Sequence, residues 1–195
     1  MAKRRLGFAL CGSFCTFSRA IPLLEQLEKD YDIYPILSEH AAGFDTKFGK
    51  AADHLLRIET ICGRKAILTI PGAEPIGPKR MFDILLVCPC TGNTLAKLAS
   101  GITDTTVCMA VKSHLRTERP VVLCLATNDA LRANAVNIGM LLNRKHYFFV
   151  PFGQDDYQNK PSSLVADFSK VPQTLQMALE EKQIQPILYG CANVD

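Results

Sequence analysis

The fold of this chain is most narrowly bounded by Asp83-Ile-Leu-Leu-Val-Cys-Pro-Cys-Thr-Gly-Asn-Thr-Leu-Ala-Lys97, an apolar run that breaks abruptly into small polar residues. An unbroken apolar run bounded by turn formers predicts a parallel strand covered on both faces. Thr91 or Asn93 then caps a helix that continues through Leu95, Leu98 and Ala99. The amide groups of a first helical turn lack intrahelical partners and attract anions. The strand therefore delivers Pro89, Thr91, Gly92, Asn93 and Thr94 to a place where a negatively charged ligand can sit.

The same alternation repeats along the chain. Arg5 to Cys11 reads as a strand, followed by a tight turn at Gly12, Ser13 and Phe14 and by an amphipathic helix with Ile21, Leu23, Leu24 and Leu27 on its apolar side. Tyr31 to Leu37 is a second strand ending at Ser38, and Phe44 to Leu56 reads as a helix. Ala66 to Ile70 reads as a short third strand, with Pro71 to Pro78 a loop without regular structure. After the central stretch, Thr105 to Leu115 reads as a helix, Pro120 to Ala126 as the fifth strand ending in Thr127 and Asn128, and Ala130 to Leu142 as a helix. His146 to Phe152 is a sixth strand, Gly153 to Pro161 a polar loop, and Val171 to Glu181 a last helix.

Six alternations predict a doubly wound α/β fold, Rossmann-like or flavodoxin-like, with a mostly parallel sheet between two helical layers. At 195 residues the chain is expected to form one domain (1–195), with the loop 153–163 and a C-terminal extension, 164–195, packing on it. Ligands of such folds bind beyond the carboxyl ends of the strands. Gly12, Ser13, Ser38, Thr91 to Thr94, Thr127 and Asn128 would gather there into a crevice suited to a mononucleotide. The glycine turn lacks the full dinucleotide fingerprint, which argues against an NAD site of the usual kind at this position.

Composition excludes several classes. Twenty-two basic against 19 acidic residues, a formal net charge of +3, is too balanced for a nucleic-acid groove. No window carries the roughly 18 unbroken apolar residues of a membrane span, and the first apolar segment lacks signal-peptide character. Most of the eight cysteines lie in apolar segments, the pattern of reduced thiols in a cytoplasmic protein. Their spacing does not suit a metal site. Cys88 and Cys90 leave packing and redox chemistry open, with packing favoured.

Three blocks together resemble a known family. Gly12-Ser13 after the first strand, the pattern Asn-Thr-x-x-Lys-x-x-x-Gly-x-x-Asp from Asn93 to Asp104, and Arg119-Pro120-Val-Val before Asn128 look like the FMN-binding flavoproteins, which include the flavin-dependent cysteine decarboxylases. The resemblance implies FMN, with its phosphate near Gly12, Ser13 and Ser38 and its ring near Thr91, Asn93, Thr127 and Asn128. Lys112-Ser-His-Leu-Arg116, Thr127-Asn-Asp-Ala, Asn137-Ile-Gly and Val150 to Asp156 resemble a branch that oxidises a dihydrodipicolinate to dipicolinate during sporulation. The expected partners are a dehydrogenase subunit, which could bring NADP, further copies of the chain, and a small dicarboxylate substrate.

The chain also departs from the decarboxylases. Where they carry a catalytic histidine it has Glu74-Pro75-Ile76, and their Pro-Ala-Met-Asn becomes Leu125-Ala126-Thr127-Asn128. For a dicarboxylate oxidation, Lys97, Lys112 and Arg116 are the candidate carboxylate partners, with Arg116 suited to bidentate pairing, and His114 is the candidate base. The competing readings are a decarboxylase of a cysteine-containing substrate and a non-catalytic FMN carrier. The polar loop 153–161 is read as a lid, a docking segment or a tether.

Overall fold

A single sheet organises the computed structural model, which describes residues 3–189. Its parallel strands are β1 (Arg4–Leu10), β2 (Tyr31–Leu37), β3 (Ile84–Cys90), β4 (Val121–Thr127) and β5 (Tyr147–Phe149), in the order β2-β1-β3-β4-β5. β6 (Phe152–Gly153) and β7 (Leu164–Ala166) complete the seven strands, with β7 antiparallel to both β4 and β6. Every residue of β3 is buried, as its uninterrupted apolar sequence requires. The α/β architecture with a mostly parallel sheet is the one expected.

Helices cover this sheet. α1 (Phe17–Glu28) buries Phe17, Ala20, Ile21, Leu24 and Leu27, the spacing of one helical face. After β2 come the short α2 (Glu39–Gly43) and then α3 (Ala51–Cys62) and α4 (Ile70–Ala73). α5 (Gly92–Ser100) follows β3 and ends on Gly101 in the left-handed region, φ 73°, a common helix stop. α6 (Thr106–Leu115), α7 (Ala135–Leu142) and α8 (Val171–Leu179) finish the set, and α8 packs on β3, β4 and β5.

Five stretches differ from the sequence reading; one is the helix expected from Ala130, which begins only at Ala135, after the turn that the Arg132 and Asn134 amides close on the Asp129 carbonyl. The expected helix 44–56 begins only at Ala51, residues 44–50 separating the earlier α2 from α3, because the Asp45 carboxylate accepts the Ala51 amide at 2.9 Å and starts α3 there. The expected strand 66–70 is a single bridge, Ile67 to Ile36. Pro71 to Pro78 is partly helical: Thr69 caps α4 through the Gly72 amide, and Glu74–Ile76 adds a 3-10 turn. Proline in a first helical turn sacrifices no hydrogen bond. Finally, the expected strand 146–152 splits at Pro151, which has no amide to donate. Val150 still donates to Leu123, but Phe152 turns to pair with Ala166 and Ile187.

The order of the sheet fixes where a ligand can enter. From β1 the chain moves to β2 on one side and to β3 on the other, so the loops after β1 and β3 diverge and leave a crevice between them.

Candidate functional site

The loops after β1 and β3 meet at that divergence. The Cys11 amide donates to the Pro89 carbonyl at 3.3 Å, and the Thr94 hydroxyl reaches the Cys11 sulfur at 3.2 Å. Thr91, in extended conformation, caps α5 by accepting the Thr94 amide at 3.3 Å; Asn93, the other candidate cap, is exposed. The amides of Gly92 and Asn93 thus stand at the helix start without an acceptor among the described residues. Across the crevice, the Ser13 hydroxyl has no closer partner than the Cys15 sulfur at 3.9 Å. Ser38 lies beside them, its amide on the Leu10 carbonyl at 2.9 Å and its hydroxyl capping α2.

The end of β4 forms the opposite wall. The Thr127 hydroxyl donates to the Asp129 carboxylate at 2.5 Å, and Asn134 donates to the other carboxylate oxygen at 2.9 Å. These two bonds, with Thr127 foremost, hold the Asp129 carboxyl below its ordinary range, so it is ionised. Gly92 packs into this network. A methyl there would come within 2.5 Å of both Asn134 Nδ2 and Thr127 Oγ1, so the α5 start and the β4 end approach too closely for any side chain. Gly12 differs. Its added Cβ would meet nothing nearer than 3.5 Å, so packing within the chain does not demand glycine there.

Of the residues singled out in the sequence, Gly12, Ser13, Phe14, Ser38, Pro89, Thr91 to Thr94, Thr127 and Asn128 all lie at the carboxyl ends of β1 to β4. The cations and the histidine do not join them. His114 is buried at the opposite end of the sheet, its Nε2 at 3.1 Å from the carbonyl of Pro120, just ahead of β4, with its ring 6.1 Å from Phe82. Burial pushes its pKa down to about 4. Periodicity in a helix does not say which end of the sheet a residue serves, and so it could not separate His114 from a crevice residue. Lys97 pairs with Asp104 at 2.8 Å, which holds the lysine pKa up and the carboxyl pKa down. Lys112 and Arg116 line a cleft of about 380 Å³ between α5 and α6 together with Arg144.

Two other residues at the crevice, His40 and Arg132, were given no role by the sequence reading. His40 follows Ser38, is exposed, and stacks on Phe44 with ring centres 4.9 Å apart. Arg132 and Lys160 stand beside Asn128. The sequence signal of His40 and Arg132 was position just after a strand end, whereas Lys160 belongs to the polar loop 153–161, among the residues through which that loop could touch substrate. Cys88 and Cys90 are fully buried, and burial raises both thiols well above their ordinary pKa, the setting of packed rather than reactive sulfur. Among the described residues no group of three or more metal-ligating side chains is assembled, and no helix is long and apolar enough to cross a membrane.

Comparison with known proteins adds to this geometry. The flavoprotein family profile matches residues 1–168. The B subunit of dipicolinate synthase from Bacillus subtilis (strain 168) is 43% identical over 186 residues, 95% of this chain and 93% of the relative. The crystal structure of the corresponding dipicolinate synthase polypeptide from Bacillus halodurans C superposes with a TM-score of 0.88 at 38% identity, covering 97% of each chain. The FMN-dependent cysteine decarboxylase SpaF shares the fold, with a TM-score of 0.68 at 23% identity over 91% of this chain and 98% of its own.

Proposed function

This chain belongs to the flavoprotein family, and we propose that it serves as the FMN-binding component of a cytoplasmic dipicolinate synthase, oxidising a dihydrodipicolinate to dipicolinate during sporulation. The likeness to the B subunit of dipicolinate synthase along nearly the whole chain carries this reading. The residues at the crevice fit FMN. Gly12 leaves room that neither backbone strain nor packing explains, and among the described residues the Ser13 hydroxyl has no oxygen or nitrogen partner and the first amides of α5 have no acceptor, which leaves them for an anion. The phosphate would be held by Gly12, Ser13 and Ser38, with the ring against Pro89, Thr91, Asn93, Thr127 and Asn128. Bound FMN supplies a two-electron acceptor.

The chain's own residues bind, orient and move a proton. Asp129 fixes Thr127 and the turn up to Asn134, so the wall facing the ring is rigid before ligand arrives. His40 replaces His114 as the proton acceptor, since it lies on the crevice side. A dehydrogenase, the synthase's other type of polypeptide, is the partner, with NADP entering through it. Further copies of the chain assemble through α7, whose exposed Val136 and Met140 stand one turn apart beside an apolar groove of about 590 Å³.

A decarboxylase is the weaker reading. The stretch where those enzymes carry histidine is here a 3-10 turn packed on α6, with the Ser113 hydroxyl donating to the Glu74 carbonyl at 2.6 Å. An absorption spectrum of the purified chain, followed by turnover of dihydrodipicolinate with and without the dehydrogenase partner, tests the proposal. Flavin bands and partner-dependent turnover that needs FMN support it. Turnover unaffected by removing FMN leaves a carrier or scaffold, and turnover of cysteine-terminated peptides instead restores the decarboxylase.

A further inference from the structure

We propose that Arg132 and Lys160 hold the two carboxylates of the cyclic substrate, in a cleft of about 330 Å³ at the carboxyl end of β4 that they share with Asn128, Pro161 and Ser162. The inference rests on the function proposed above and assigns its substrate subsite. Asn128 directly follows β4, so the cleft opens beside the wall read as facing the flavin ring.

Both halves of this corner are tied down. The Arg132 amide donates to the Asp129 carbonyl at 3.0 Å and the Asn134 amide to the same carbonyl at 3.2 Å, forming a tight turn after β4. The far loop is pinned to that turn. Leu131 donates its amide to the Ser162 carbonyl at 3.0 Å, and Arg132 Nε donates to the Ser162 hydroxyl at 2.8 Å. That second bond uses the inner nitrogen of the guanidinium. The two terminal nitrogens, the fork that pairs with a carboxylate, make no hydrogen bond among the described residues.

The acids around the corner leave the Arg132 guanidinium without an ion pair among the described residues. Asp129, the nearest acid in sequence to Arg132, is turned to Thr127 and Asn134 and does not neutralise it. Asp156 is occupied with Asn159, accepting its amide and side-chain nitrogen at 3.1 Å. Among the described residues Lys160 makes one ion pair, with Asp155 at 3.7 Å, long, exposed and of little strength. Two cations on one side of an open cleft match a planar ring bearing two carboxylates, one taken by the Arg132 fork and one by the Lys160 point charge. The three cations favoured by the sequence lie elsewhere: Lys97 is paired, and Lys112 and Arg116 line the cleft between α5 and α6.

The test is calorimetric titration of the FMN-loaded full chain with dipicolinate and, for comparison, picolinate, which has a single carboxylate. Arg132→Gln is expected to weaken dipicolinate binding by about tenfold or more, and Lys160→Gln by several-fold. The double variant should bind dipicolinate no better than picolinate. FMN affinity stays unchanged, and the melting temperature falls only slightly, in Arg132→Gln through loss of the exposed bond to Ser162 and in Lys160→Gln hardly at all. Arg132→Lys, which keeps charge and loses the fork, should fall between, and Lys112→Gln should match the parent. Undiminished dipicolinate binding in the double variant overturns the cleft and leaves the proposed function standing. A parent chain that binds FMN and supports turnover with its partner yet binds no dicarboxylate also overturns the cleft, placing the substrate on the partner. Absence of both binding and turnover overturns the proposed function along with it.

Discussion

At the amino-terminal edge of the sheet, Asp83 accepts the Arg5 amide at 2.9 Å and stands within 3.5 Å of the Arg5 and Arg119 guanidinium groups, while Arg119 also donates to the Phe82 carbonyl. His114 beside them bonds to Pro120. At the carboxyl-terminal edge the Ser13 hydroxyl, the first amides of α5 and the fork of Arg132 have no such partners among the described residues. The first edge satisfies these groups within the fold, whereas the second, beside its Thr127–Asp129–Asn134 network and its caps, leaves several groups facing outward. Residue type alone therefore does not mark a site: a histidine satisfied by its own chain is a structural group, and a serine left unsatisfied at a strand end is a candidate for binding.

Four changes probe that contrast. The largest effect should come from His114→Ala, which leaves a cavity where a buried ring stood and removes one of two hydrogen bonds to the Pro120 carbonyl, the other coming from the Leu85 amide; urea unfolding should show a loss of about 4 kcal/mol, with FMN affinity unaltered. Acid titration of stability comes next. Because the folded pKa of His114, about 4, lies below its ordinary value of 6.5, the unfolded chain binds the extra proton between those limits. Its contribution is therefore complete above roughly pH 6.5 and is lost as pH falls toward about 4, a change of about 3 kcal/mol. His114→Gln should flatten that slope in denaturant titrations at stepped pH, and an unchanged slope would assign it to other groups.

Smaller effects belong to the crevice. Thr91→Ala removes the α5 cap and should cost about 1 kcal/mol in thermal unfolding while also weakening FMN. Asn93→Ala should change stability by less than about 0.5 kcal/mol, since Asn93 is exposed and caps nothing, and any effect on FMN titration then reports ligand contact alone.

The sequence made some of this visible for physical reasons. β3 and β4 are continuous apolar runs and β1 becomes one after Arg5, and an apolar run ending in Thr91-Gly92 or Thr127-Asn128 declares both a buried strand and the edge where polar groups emerge. The break at residues 44–50 was hidden because Phe48, Ala51, Ala52 and Leu55 keep helical spacing across it, while the Asp45 cap that starts α3 reaches six residues ahead. The bridge at Ile67 was read as a strand because an apolar run does not reveal whether a neighbour continues beside it. The Arg132 and Lys160 corner depends on β7 pairing antiparallel with β4, a contact between segments some forty residues apart that leaves no local trace. His114 shows the same limit from the other side, since only the fold decides which edge a helix residue faces.

Whether the carboxyl-terminal edge is a mononucleotide site and the amino-terminal edge is structural is decided by titrating FMN into Ser13→Asp and His114→Gln side by side in a calorimeter. A carboxylate at position 13 should repel the phosphate and weaken FMN by about 100-fold without lowering the melting temperature, whereas His114→Gln should bind like the parent. Equal FMN binding by Ser13→Asp and the parent, or loss of binding in a folded His114→Gln, would refute that division of the two edges.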